Sequence, residues 1–275
     1  MTSTRSVRRK TSFYPGRAPR IIIAIIVGAF IVIPLVAGLE YTFRDLGRHS
    51  FSHWAALVDP ANTAKYQPIW TGLTNSLILM VTTVVIVLVL LAPTMILLNL
   101  RFPRLKKMFE FIALLPISIP AIVIVVGLTP IYLMIGRSLG TGAWTLCFAY
   151  GILVMPYAFR SIQASIDAIN ISTLAEVARA LGASWPKVIL RVLAPNLRGG
   201  LIAGSVIAVA VVLGEYTVAS LLNRQNLQTS LVLVSQQDSY VAVIFSLLAL
   251  AFCLVLLLVI RRVGHAGSSG NEEMS

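Results

Sequence analysis

Few residues in this chain are of a type and spacing that could do chemistry. His49 and His53 stand four apart, with Asp45 four before His49. On a helix that spacing lines three ligands along one face, which could hold a metal. No Glu-x-x-His context supports it, so the plainer expectation is the polar face of a loop. Glu215 and Tyr216 sit in an apolar stretch, Leu213–Leu222. A carboxylate there needs water or a partner. It could neutralise a cationic solute, with Tyr216 adding a ring for cation–π contact, or it could make a helix–helix hydrogen bond. Glu176, Gly182 and Pro195 punctuate a long polar segment. Cys147 and Cys253 lie within apolar runs and are expected as inert thiols. There is no G-x-x-x-x-G-K-[ST] loop, and no Lys follows a Gly, so this chain is not expected to hydrolyse ATP. No histidine falls inside an apolar run, which argues against an intramembrane serine protease. No enzyme activity, metal or cofactor in this chain is expected.

The elements that must position these residues are membrane spans. Of 275 residues, 57% are apolar and 12% charged, and the mean hydropathy is +0.88. Apolar runs of about 20 residues recur, the length that crosses a hydrocarbon core. An all-α polytopic bundle of six spans is expected: Ile21–Leu39, Leu73–Leu100, Phe109–Ile135, Ala143–Ala158, Gly199–Leu222 and Tyr240–Ile260. The basic start resembles a signal peptide, with Val36-Ala37-Gly38 a passable cleavage site. The apolar run is longer than a usual leader core and five spans follow, so an uncleaved first span is expected.

The net charge of +12 follows topology rather than nucleic-acid binding. With the N-terminus in the cytoplasm, seventeen Lys and Arg fall inside and five outside, a strong positive-inside signal. Both termini are then cytoplasmic. The expected organisation is a basic N-terminus over 1–20, a membrane domain over 21–260 with a cytoplasmic loop at 160–198, and a disordered tail over 261–275.

That loop is too long for a plain helix–helix connection. Ile162, Ile166 and Ile169 recur at helical spacing. Thr173 to Glu176 fits a capping box, Gly182 a left-handed helix stop, and Ser184 with Pro186 the start of a second helix that Pro195 ends. Two short helices joined by a sharp turn form a knob suited to docking in a groove of a soluble partner, or to lying flat on lipid.

Glu176-Val177-Ala178, three residues, Gly182, nine residues and Val192-Leu193-Ala194-Pro195 resemble the EAA loop of ATP-binding-cassette importer permeases. Val177, Val192 and Ala194 depart from the pattern by apolar exchange. Asn75-Ser76-Leu77 and the Pro116–Pro120 segment followed by Gly127 resemble that family too, over roughly Thr71 to Ile260. The resemblance implies coupling to an ATPase dimer, which binds the ATP and Mg, through Glu176, Ala178, Gly182 and Pro195. It also implies an external solute-binding protein and a second permease subunit, expected as a heterodimer in a bacterial inner membrane. Rigid-body rocking of the spans would alternate access, and prolines at 93, 116, 120, 130 and 156 allow kinks. The Leu213–Leu222 stretch resembles the spermidine/putrescine subfamily, so a polyamine is the expected solute, with Glu215 and Tyr216 in its pathway. Ferric iron, thiamine or a phosphonate are the alternatives, and a standalone channel or secondary carrier is the rival class.

Overall fold

A computed structural model of the chain describes residues 17–45 and 47–266. Most of the expected basic N-terminus and residues 267–275 of the expected tail lie outside them. Fourteen α-helical stretches follow one another among the described residues, and a two-rung antiparallel ladder supplies the strands. Five helices are long and apolar enough to cross a membrane, and six if one pair bent by 79° counts as one span.

Helix α1 (Arg17–Tyr41) covers the first expected span. Its residues are almost all exposed, and it touches the bundle chiefly along the last helix. A hairpin of β1 (Arg44–Asp45) and β2 (Arg48–His49), then α2 (Ser52–Ala56), follows. The second span is far longer than expected. Helix α3 (Thr63–Ile86), a π-helical segment (Val87–Leu91) and α4 (Ala92–Arg101) form one rod from Pro60 to Arg101, 42 residues. At 1.5 Å per residue that is about 63 Å, roughly twice the hydrocarbon thickness. Its apolar stripe sits inside a longer element whose ends carry polar contacts. The wide turn just before Pro93 has a cause: proline has no N–H and its ring crowds the carbonyl four residues back, so the helix opens there.

The third span was expected unbroken from Phe109 to Ile135. It is two helices, α5 (Lys106–Ser118) and α6 (Ala121–Ser138), parted at Ile119, which is extended at φ −104°, ψ 125° because Pro120 follows it. Helix α7 (Cys147–Asp167) continues nine residues past its expected end at Ala158. The first quarter of the expected cytoplasmic loop is therefore the last two turns of a spanning helix, with Ile162 and Ile166 buried in it. Helix α11 (Arg198–Gly214) stops eight residues before its expected end and gives way to α12 (Thr217–Leu221) and α13 (Leu227–Ser235). Helix α14 (Ser239–Ala266) absorbs residues 261–266, which were expected in the tail.

Apolar packing is split between the two ends of the long rod. One cluster gathers Tyr66, Ile69, Leu79, Tyr150, Leu227 and Phe245. The other gathers Val87, Met95, Phe159, Ile166, Val188 and Leu197. Helices α7 and α11 run side by side through both, close enough for Ser161 Oγ to donate to the Gly200 carbonyl at 3.2 Å.

Candidate functional site

The knob after α7 is built from α8 (Ile171–Ala180), α9 (Trp185–Lys187), a second π-helical segment (Val188–Leu193) and α10 (Ala194–Asn196). Thr173 was expected to cap α8. The cap is Asn170, whose Oδ1 accepts the Thr173 N–H at 3.2 Å and the Ser172 hydroxyl at 2.8 Å. The helix thus starts three residues earlier, and Thr173 is inside it. Glu176 is left exposed, with no hydrogen bond or ion pair to its carboxylate among the described residues. Ala175 and Ala178 face inward and are buried, and small side chains there let α8 lie close to α4 and the second π-helical segment.

The turn after α8 is a Schellman motif. Ala183 N–H reaches back to the Ala178 carbonyl at 3.0 Å, and Gly182 stands at φ +84°, where an L side chain is strained. Arg179 donates to the Ala183 carbonyl at 2.7 Å and holds the turn shut. The Arg101 and Arg179 guanidiniums both lie over the Trp185 ring, 5.0 and 5.5 Å from its centroid. That contact pins the second half of the knob to α8 and to the end of α4. Ser184 precedes α9 in extended backbone but makes no side-chain cap; the Val188 N–H goes to its carbonyl instead. Pro195 follows the second wide turn, and the chain bends by 79° between Trp185–Asn196 and Arg198–Gly214. Val177 and Leu181, one helical turn apart, are 55% and 83% exposed and leave an apolar face beside Glu176.

Beneath the knob, a polar cluster joins three helix ends. Lys106 Nζ meets Asp167 Oδ1 at 3.1 Å, Gln163 donates to the same oxygen at 2.8 Å, and the Asn99 and Gln163 amides face each other at 3.3 Å. Lys106 pairs with Asp167 of α7 rather than with Glu110, four residues on in its own helix.

Toward the opposite end of the rod, the structure separates Glu215 from Tyr216. Glu215 lies in the break between α11 and α12, not within a continuous span. Its Oε1 accepts the Val218 N–H at 2.8 Å and so caps α12. Breaking a helix at membrane depth exposes carbonyls that need donors. Asn226 Nδ2 donates to the Glu215 carbonyl at 2.6 Å, and Gln228 Nε2 donates to that of Leu213 at 2.7 Å. Asn226 also caps α13 in a reciprocal box with Thr229 and lies 3.0 Å from the Tyr150 hydroxyl. Helix α13 is clasped to α3 by Asn75 Nδ2 on the Gln225 carbonyl, 2.9 Å, and by Ser76 Oγ accepting the Leu227 N–H, 2.9 Å. Tyr216, 41% exposed, lines a polar cavity of about 640 Å³ with Ser220, Asn223, Arg224, Gln225 and Thr229. Glu215 is not among its lining residues. Sequence reasoning missed Asn226; the spacing Asn226-x-x-Thr229, a cap followed by a hydroxyl, was its signal.

The other sequence candidates separate. His49 pairs with Arg44 across the hairpin, so the helix that would align Asp45, His49 and His53 does not form. His53 stacks on Tyr240 at 3.9 Å, and Asp45 accepts from Ser52 at 2.7 Å. Among the described residues no cluster of three metal-ligating side chains occurs. Cys147 and Cys253 are free thiols.

Residues 94–266 match the profile of a protein family described as binding-protein-dependent transport system inner membrane component. No curated protein matches the chain.

Proposed function

Because the chain belongs to the binding-protein-dependent transport system inner membrane components, and so is a multi-pass permease subunit of an ATP-binding-cassette transporter, we propose that its 171–197 knob is the part that couples the spans to the ATPase. The family implies an ATPase and a solute-binding protein as partners. The observation that carries the coupling reading is the exposed Glu176, Val177 and Leu181 face on a helix otherwise fixed by Ala175, Ala178 and the Gly182 turn. A lone membrane-surface helix would have no use for an Arg–Trp–Arg clamp that binds it to the end of α4, which a polar cluster ties in turn to α5 and α7. Closure of the ATPase pair displaces α8. The clamp passes that displacement to Trp185–Asn196, and the 79° bend turns it along α11, whose far end is the break at Glu215.

We place the knob and both termini in the cytoplasm, in a bacterial inner membrane, because the basic residues cluster on that side. A second permease, by the family resemblance a different one, completes the pathway; the few fully buried residues of α1 and α6 leave apolar faces open to a partner bundle. Polyamine uptake is the solute class the resemblance implies. It needs carboxylates along the path, and the cavity beside Tyr216 is lined by none. Putrescine uptake by Glu215→Gln tests it: unchanged transport removes Glu215 from the pathway.

The coupling reading is tested by co-purification. Leu181→Asp, on an exposed position, is expected to release the ATPase and abolish ATP-dependent uptake while the permease folds normally. Retention of the ATPase by that variant, or solute movement through membranes holding this chain alone without ATP, overturns it.

A further inference from the structure

Arg224 stands without a hydrogen-bonding or ion-pair partner for its side chain among the described residues, and its Nε is sealed from solvent with nothing to donate to. The side chain leaves the turn between α12 and α13 and points toward α6, with Nη2 3.9 Å from where a Cβ on Gly136 would stand. Its backbone is well placed, the Arg224 N–H bonding the Ala219 carbonyl at 2.8 Å behind Asn223 at φ 53°. The position is fixed, and no carboxylate among the described residues answers the charge.

An arginine stays charged at any pH a protein meets. A half-buried, unpaired guanidinium carries a desolvation cost that folding alone does not repay. The same cavity holds other idle polar groups: the side chains of Tyr216, Ser220 and Asn223 have no hydrogen-bond partner among the described residues. Gln225 is occupied, donating to the Pro68 carbonyl at 3.0 Å and to Ser230 at 3.1 Å. No Asp or Glu lines the space, so Arg224 sets its sign.

We propose that this cavity binds an oxyanion, a carboxylate, phosphate or phosphonate group, held by the Arg224 guanidinium with hydroxyl and amide donors around it. A planar guanidinium with several N–H groups matches two oxygens of such a group at once. The volume of about 640 Å³ exceeds what a bare anion fills and leaves room for the molecule that carries it. The carrier is an anionic end of the transported solute or the headgroup of an anionic lipid. The solute assignment rests on the importer reading; the oxyanion site does not.

The test uses the full chain in phosphatidylcholine nanodiscs, with inorganic phosphate, methylphosphonate and putrescine as probes. Phosphate and methylphosphonate are expected to bind and to raise the thermal midpoint, and putrescine is not. Arg224→Gln is expected to weaken phosphate binding by about tenfold or more, and Arg224→Lys, which keeps the charge but not the fork, by less. Should Arg224→Gln fail to fold, Ser220→Ala with Asn223→Ala is expected to weaken binding in its place. Equal phosphate binding by Arg224→Gln and the parent, or binding of putrescine alone, overturns the proposal. In phosphatidylglycerol nanodiscs, undiminished phosphate binding supports a solute source; loss of it supports the oxyanion site and overturns the solute assignment. ATPase release by Leu181→Asp is read separately, so failure of the importer reading and failure of the anion site are distinguishable.

Discussion

The Asn226 side chain meets the main chain of Glu215 and not its carboxylate: the Asn226 amide donates to the Glu215 carbonyl at 2.6 Å, while the Glu215 carboxylate turns away to cap α12. One asparagine therefore closes the break in the fifth span, caps α13 and meets Tyr150. Replacing Asn226 with Leu leaves a buried carbonyl and a buried hydroxyl unanswered and removes a cap. Each such loss costs about 1–3 kcal/mol, so the variant is expected to lose at least about 2 kcal/mol of stability. Thermal unfolding in detergent measures it. Asn226→Asp keeps the cap but offers no donor to the Glu215 carbonyl, and is expected to fall in between.

Gly182 carries a different prediction. A Cβ there meets no atom within 4 Å, so Gly182→Ala costs only the left-handed backbone, about 1–2 kcal/mol. The loss is local to the turn. Global unfolding is expected to shift little while protease cleavage between Arg179 and Ser184 accelerates, and limited proteolysis followed by mass spectrometry reads the site.

How much of this was legible in the sequence differs by element. The apolar runs marked the spans because hydrocarbon thickness acts on composition alone. Gly182 was legible because only one backbone region suits a helix stop of that kind. The cap of α8 was misplaced because Asn170 and Thr173 are both capping residues, and α7 ends at Asp167, close enough to Asn170 for α8 to begin there. Glu215 was placed in a continuous span because hydropathy does not register a backbone break that donors from residues 226 and 228 make tolerable. Arg224 was counted only for topology; its isolation is a fact of three-dimensional packing.

Trp185 is expected to govern coupling more than stability. Two guanidiniums over one ring contribute about 0.5–1 kcal/mol each at an exposed site. Trp185→Ala should keep the ATPase bound, since Val177 and Leu181 are untouched, yet lower the solute moved per ATP hydrolysed. Reconstituted vesicles give both rates. A fall in uptake with ATP hydrolysis unchanged identifies a transmission role; parallel falls identify simple loss of docking.

Acid should loosen the far end of the rod. Asp238 accepts from Lys65 at 2.9 Å and from Tyr66 at 2.8 Å, tying the start of α3 to the start of α14. Burial pushes the Asp238 carboxyl up, but the hydrogen bonds from Lys65 and Tyr66 outweigh it and hold the group below its ordinary value of 3.8. A carboxyl whose folded value is depressed stabilises fully above its unfolded value and loses that contribution as pH falls through the folded one. The thermal midpoint is therefore expected to be insensitive to this pair from neutral pH down to about 4 and to drop below it. Asp238→Asn should lower the midpoint at neutral pH and flatten the acid limb. An acid limb as steep in Asp238→Asn as in the parent would assign the loss to other carboxyls and leave the Lys65–Asp238 tie without a role in acid stability.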